Sequence, residues 1–328
     1  MKMTGAEMAV EILLEHNVDT IFGYPGGAAL FIYDALYKYK DKIRHVLTAH
    51  EQGASHAADG YARSTGKTGV VLATSGPGAT NLVTGIATAY MDSIPMVIIT
   101  ANVANSLIGR DAFQETCITG ITFPVTKHSY FVNKTDELAD ALRNAFRIAN
   151  EGRKGPVLVD ITKDVTGATV DYQPAPNCEL KKVQQEELDK KIASFAKYIN
   201  KAEKPVLYLG GGVIASEASE EVMRLMEKAD IPAVNSMMAA GAVPVTDDRS
   251  FGMLGMHGSY AANKCIAEAD LVLAVGTRFS DRVALNPKKF ASKAKILQID
   301  IDKSEVSKNV TVNDAIVGDC REVLEELI

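Results

Sequence analysis

Glu51 stands in the run His50-Glu51-Gln52-Gly53, where the strand-forming stretch 43–49 gives way to the small-residue stretch 53–62. In an open parallel sheet this boundary is the carboxyl edge, where ligands bind. A carboxylate there serves either as an acid–base group or as a solvated helix-start carboxylate complementing the helix dipole, and the setting alone leaves both open. Two more turns share the pattern: Tyr24-Pro25-Gly26-Gly27 follows the apolar run 20–24, and Thr74-Ser75-Gly76-Pro77-Gly78-Ala79-Thr80-Asn81 follows 69–73. Glycine admits a ligand close to the backbone, and N–H groups and hydroxyls at a helix start suit a polar or anionic group. Turn chemistry without a ligand selects the same residues. The polar segment 101–119, with Asp111-Ala112-Phe113-Gln114-Glu115-Thr116, follows the apolar run 95–100 and is long enough to be a functional loop.

The second half repeats the theme. Gly210-Gly211-Gly212 joins a strand over 205–209 to a helix over 216–228. It lacks the GxGxxG spacing of a dinucleotide turn, so nucleotide binding stays open. Gly252-Met253-Leu254-Gly255-Met256-His257-Gly258 could lie against a flat ring, and Gly276-Thr277-Arg278-Phe279-Ser280-Asp281-Arg282 places two Arg where a pyrophosphate could be paired. Packing methionines and surface arginines would look the same.

Holding these turns requires α/β architecture: two doubly wound parallel-sheet domains. Helices are expected over 3–16 (with Asn17 as a left-handed stop), 28–38, 53–62, after 81 through Tyr90, 136–150 and 186–200. Further strands are expected over 156–160, 232–234, 271–275 and 296–300. This divides the chain into a first domain 1–165, a proline-containing connection 166–185 and a Rossmann-like second domain 186–328.

The 328 residues suffice for two ordinary domains, and 47% hydrophobic content predicts folded structure throughout. A net charge of −6 with scattered Lys argues against nucleic acid and anionic membranes as partners. No apolar run is long enough for a signal core or a membrane span, so a soluble, cytoplasmic protein is expected. Cys117, Cys178, Cys265 and Cys320 lack zinc or disulfide spacing, and no Asp/Asn cluster suggests a metal site.

Taken in order, FGYPGG, HEQGA, GYAR, SGPGATN, AFQE, GPVLVDI, GGG, GMLGMHG and RFSDRV resemble the large catalytic subunit of acetolactate synthase, a thiamine-diphosphate-dependent family, along the whole chain. That resemblance implies an aminopyrimidine-binding domain followed by a central FAD-binding domain. The family's third domain, which holds the diphosphate and Mg²⁺, is expected to be missing. Gly318-Asp319-Cys320 is the nearest approach to its Gly-Asp-Gly signature and lies too close to Ile328. The chain is therefore expected to be the first two-thirds of the enzyme, truncated or naturally split, and inactive alone.

By the same resemblance, Glu51 would hydrogen-bond N1′ of the aminopyrimidine and favour the imino form that removes the thiazolium C2 proton. Tyr24, Pro25, Gly26, Thr74, Pro77 and Asn81 would surround that ring. Phe113 and Gln114 would lie over the reaction centre, and Lys163 would line substrate access. For FAD, the matching positions are Arg153, Gly210, Gly211, Gly212, Met253, Leu254, Gly255, Met256, His257, Gly276, Arg278, Arg282, Asp300 and Asp319. The family condenses pyruvate with a second 2-oxo acid, pyruvate or 2-oxobutyrate, in branched-chain amino acid biosynthesis. It works as a homodimer or higher oligomer and often uses a regulatory small subunit. Three positions depart from the family pattern: Thr162 replaces a Pro, Ser280 an Asp, and Ala284-Leu285 a Thr-Gly pair. The alternatives are a pyruvate oxidase or glyoxylate carboligase type, or a non-catalytic FAD-binding module of a split enzyme. Glu51 argues against the carboligase, which lacks this Glu, and GMLGMHG with RFSDR argues for a flavin-bearing synthase.

Overall fold

Val70-Val71-Leu72, Val97-Ile98-Ile99 and Val157-Leu158-Val159 are all fully buried. Continuous apolar runs of this kind are what parallel strands need when helices cover both faces of their sheet. The computed structural model describes residues 1–175 and 186–328, and the chain forms two compact units, Met1–Leu180 and Lys181–Ile328. Both have the doubly wound α/β class expected from the sequence.

In the first unit the strands are β1 (Lys2–Thr4), β2 (Thr20–Gly23), β3 (Arg44–Leu47), β4 (Gly69–Ala73), β5 (Met96–Asn102), β6 (His128–Val132), β7 (Pro156–Thr162) and β8 (Thr169–Asp171). Six of them make a parallel sheet in the order β3-β2-β4-β5-β7-β6. The order reverses between β2 and β4, which opens a crevice at their carboxyl ends. Helices Gly5–Glu15, Leu30–Lys38 and Leu138–Asn150 cover one face. Helices Glu51–Thr65 and Val83–Asp92 cover the other. These last two approach closely because Gly85 packs on Ser55, where a Cβ would stand 2.1 Å from Ser55 Oγ. Small residues in this stretch therefore serve packing between helices.

The amino terminus and the expected connection differ from the reading above. Thr4 and Glu7 form a reciprocal capping box, so the first helix starts at Gly5 and residues 2–4 are free to form a strand. That strand, β1, pairs antiparallel with β8. Val165 and Thr166 are buried, and Gly5 lies against the Val165 carbonyl. Residues 166–171 therefore belong to the first unit, and the rest of the expected connection from residue 176, with Cys178, lies outside the described residues. Asn17 stops the first helix with φ +56°, as expected.

The second unit contains β9 (Pro205–Leu209), β10 (Ala233–Asn235), β11 (Ser250–Met253), β12 (Leu271–Val275), β13 (Lys295–Asp300) and β14 (Asp314–Val317). They form a parallel sheet in the order β11-β10-β9-β12-β13-β14, which reverses between β9 and β12. Its two faces carry separate apolar cores, one around Phe195, Leu225 and Leu324, the other around Tyr208, Ile266 and Phe279. The edge strands β6, β11 and β14 and the helices Tyr260–Glu268 and Cys320–Leu327 were not anticipated. The edge strands are only half-buried, and an apolar run does not mark them.

Candidate functional site

Glu51 is the first residue of a helix, which starts two residues earlier than the stretch 53–62 expected from the sequence. β3 ends at Leu47, and His50, in extended conformation (φ −155°, ψ 142°), caps the helix by accepting the Gln52 N–H at Nδ1, 3.0 Å away. The Glu51 side chain turns inward and is only 8% exposed. Asn81 Nδ2 donates to its Oε2 at 2.9 Å. Among the described residues Oε1 has no hydrogen-bond partner, and a Cβ on Gly78 would stand 3.3 Å from it. Thr74 Oγ1 accepts from Ala28 N at 3.3 Å. Cβ atoms on Gly26 and Gly78 would lie 2.3 and 2.7 Å from Thr74 Cγ2. Gly76, at φ +59°, lies against Gln114, whose Cβ and carbonyl oxygen would each be 2.8 Å from a side chain there. Gly26, Thr74, Gly76, Gly78, Asn81 and Gln114 thus gather around one carboxylate, in the crevice between β2 and β4. Tyr33 stands beneath them; burial, and then the charge of Glu51, push its phenol above the ordinary range.

The remaining predicted residues of this unit occupy its rim. Tyr24, Pro25 and Pro77 are exposed, and Phe113 is 88% exposed. Lys163 begins the short helix after β7, two strands from β4, with Nζ 5.9 Å over the Phe31 ring. Arg153 is turned to a different task, its Nε donating to Ser93 Oγ at 2.8 Å just ahead of β7.

In the second unit Gly210-Gly211-Gly212 and Gly276 occupy the equivalent crevice between β9 and β12. Gly210 N donates to Val275 O and Gly212 N to Gly276 O, and a Cβ on Gly210 would be 2.0 Å from Gly276 O. Backbone against backbone therefore dictates glycine at 210, 212 and 276 whether or not a ligand is bound. Met256 N donates to Arg282 O at 2.8 Å, and Gly255, at φ +105°, packs against the same carbonyl. The two Gly-rich loops consequently lie together, with Leu254 buried and Met256, His257 and Arg282 exposed. Met253 ends β11, and Arg278 lends its carbonyl to Asn309 Nδ2. Asp300, buried at the end of β13, accepts from Asp302 N at 2.9 Å. Asp319 caps the last helix, accepting from Arg321 N and Glu322 N, which explains it without a ligand. Among the described residues no three His, Cys, Asp or Glu are grouped to hold a metal, and no helix is long and apolar enough to cross a membrane.

Residues 3–121 match the N-terminal TPP binding domain of thiamine pyrophosphate enzymes, and residues 192–327 match the central domain of the same enzymes. The chain belongs to the thiamine pyrophosphate enzymes. It is 47% identical over 331 residues to the acetolactate synthase large subunit of Buchnera aphidicola, with 99% of this chain and 58% of the relative covered. The corresponding subunit of Haemophilus influenzae is 48% identical over 331 residues, covering 100% and 58%. The acetolactate synthase of Mycobacterium leprae is 50% identical over 329 residues, covering 100% and 52%. The chain thus spans a little over half the length of these relatives.

The part matching the N-terminal domain of thiamine pyrophosphate enzymes carries Glu51 with all of its close neighbours, Gln114 included, while Lys163 and Arg153 fall outside both matched segments. Three features of the first unit escaped the sequence reading: the His50 cap, Tyr33 below the crevice, and Asp160 with its partners Thr100 and Asn102. Only the last left a signal, an Asp inside the apolar run Val157-Leu158-Val159-Asp160-Ile161.

Proposed function

We propose that the first unit binds the aminopyrimidine half of thiamine diphosphate and that the protein acts as an acetolactate synthase. The observation that carries this is Glu51, a buried carboxylate with Oε2 held by Asn81 and Oε1, beside Gly78, without a hydrogen-bond partner among the described residues. Glycine at 26, 76 and 78 lets Thr74 and Gln114 close in around this carboxylate, since a Cβ at any of the three would clash with one of them, and the ring is assigned to the side on which Oε1 is left open. The bound cofactor supplies an electron sink for decarboxylating a 2-oxo acid. Glu51 Oε1 takes and returns the proton at N1′ of the ring, and Asn81 keeps the carboxylate turned toward it. Gln114, held against Gly76, donates from its amide to an oxygen of the substrate.

The proposed reaction converts pyruvate, with a second pyruvate or 2-oxobutyrate, to 2-acetolactate or 2-aceto-2-hydroxybutyrate for branched-chain amino acids in the cytoplasm. Mg²⁺ and the diphosphate would be held by a region equivalent to the relatives' remaining length. A partner subunit would complete the site, and a regulatory subunit would adjoin it. FAD is assigned to the second unit, because Gly210–Gly212 and the loop bearing Arg278 and Arg282 meet where the sheet order reverses, the position such ligands take in doubly wound sheets. Bound flavin absorbance in the purified chain tests that assignment, and its absence after reconstitution with FAD refutes it.

The activity is tested in a chimera joining this chain to the remaining length of the Haemophilus influenzae relative, supplied with pyruvate, thiamine diphosphate and Mg²⁺. Acetolactate should form, and Glu51→Gln should abolish it while leaving the unfolding midpoint intact. Near-normal turnover by the variant would sink the role given to Glu51.

A further inference from the structure

Thr100 and Asn102 on β5 stand in register with Asp160 and Thr162 on β7, and the four are 0, 4, 2 and 0% exposed. Alternate residues share a face, here the face of Ile98 and Leu158, which packs with Ala54 and Ile118. Thr100 Oγ1 donates to Asp160 Oδ1 and Asn102 Nδ2 to Asp160 Oδ2, each at 2.6 Å. The other end of the Asn102 amide, Oδ1, accepts the Val103 N–H at 2.8 Å. The amide therefore cannot turn over, since one end faces an acceptor and the other a donor. Val103 opens the segment that carries Phe113 and Gln114. Farther along, Asp164, in the short helix after β7, accepts from Asn105 N and tethers the segment there, while the Glu115 carboxylate accepts from Gly109 N and Ala112 N, stitching the tip to itself. A tip closed on itself takes its place from its entry at Val103, the tether at Asn105 and its exit at buried Ile118.

We infer that Asp160 is a positioning residue: through Asn102 it fixes the entry of the loop that holds Gln114 against Gly76. Burial lifts the Asp160 carboxyl to about 6 against the hydrogen bonds from Thr100 and Asn102. A buried carboxylate costs stability that an apolar residue would not, and what it adds here is a fixed Asn102.

The test is hydrogen exchange at the Val103, Leu107 and Ala112 amides of this chain. D160L removes the acceptor that Asn102 Nδ2 faces, whereas an amide at 160 alone could turn its oxygen to Asn102 and its nitrogen to the Thr100 hydroxyl. The reciprocal variant N102D/D160N restores every bond, because the new amide at 160 donates to the new carboxylate at 102, which still accepts from Val103 N. Exchange should rise about tenfold or more in D160L and return to the wild-type rate in N102D/D160N, with helix Leu138–Asn150 unaffected in both. Unchanged exchange in D160L, or a reciprocal variant that stays loose, overturns the inference. Should D160L not fold, the reciprocal variant decides alone. The catalytic consequence rests on the function proposed above. In the chimera, D160L should lower kcat about 10- to 100-fold and add almost nothing to Q114A, whereas additive losses would show that Asp160 does not act through Gln114. An inactive wild-type chimera would refute the function and leave the exchange result standing.

Discussion

Glycines that look alike in the sequence divide sharply by what surrounds them. A methyl group on Gly76 would meet the Gln114 backbone at 2.8–2.9 Å, at a φ of +59° that L-residues avoid. Gly76→Ala is expected to destabilise the first unit by about 1–3 kcal/mol and to weaken thiamine diphosphate binding in the chimera. Thermal unfolding and cofactor titration check both. Gly53 stands in open space inside the helix that Glu51 begins. Gly53→Ala should therefore stabilise the fold by about 0.5–1 kcal/mol, read from denaturant midpoints, and a loss there would contradict the helix placement. The motifs HEQG and SGPG drew attention to both positions without separating them, because what separates them is the chain that folds back from residue 114.

Among the elements, helix Gly5–Glu15 is tied down at its end by Glu15. Burial pushes this carboxyl up, but Arg143 (Nε at 2.9 Å, Nη2 at 2.8 Å), the Tyr172 hydroxyl and the Ala175 N–H outweigh it and hold the group to about 2. A carboxyl lowered on folding lends stability above its ordinary value of 4.5 and loses it as pH falls toward 2. Asp160, raised to about 6, works in the opposite sense, favouring the fold at low pH and losing that contribution as pH rises through 6. Unfolding midpoints between pH 2 and 4.5 should therefore drop steeply in the wild type and much less in Glu15→Gln. At neutral pH the variant should be weaker by about 1.5–3 kcal/mol, the range for hydrogen bonds to a charged group. Equal slopes would mean that Glu15 does not clamp this helix. The clamp was hidden in the sequence because its partners lie far along the chain, whereas the long apolar strands and the Asn17 stop were legible from local pattern alone.

At the scale of the whole molecule, each unit has its own sheet and its own cores, and each has a glycine-lined crevice where strand order reverses. Class and sheet placement could be read from the apolar runs, and most of the Glu51 site from three turn motifs. The parts that could not be read were the short edge strands, the β1–β8 pair and the Asp160 network, which depend on contacts distant in sequence. Gly276→Val should expose the independence of the units, since a side chain there meets the Gly212 backbone at 2.6–2.9 Å. A loss of about 2–4 kcal/mol is expected in the second unit, with exchange accelerated in β9 and β12 and unchanged in β4 and β5. Acceleration in both sheets would contradict it. The central claim is that Glu51 handles the proton that activates the cofactor. Its most direct test is the exchange rate of the thiazolium C2 proton of thiamine diphosphate bound to the chimera, followed by NMR. The account predicts exchange slowed by about 10²–10⁴-fold in Glu51→Gln, with the cofactor still bound. An unchanged rate would contradict it.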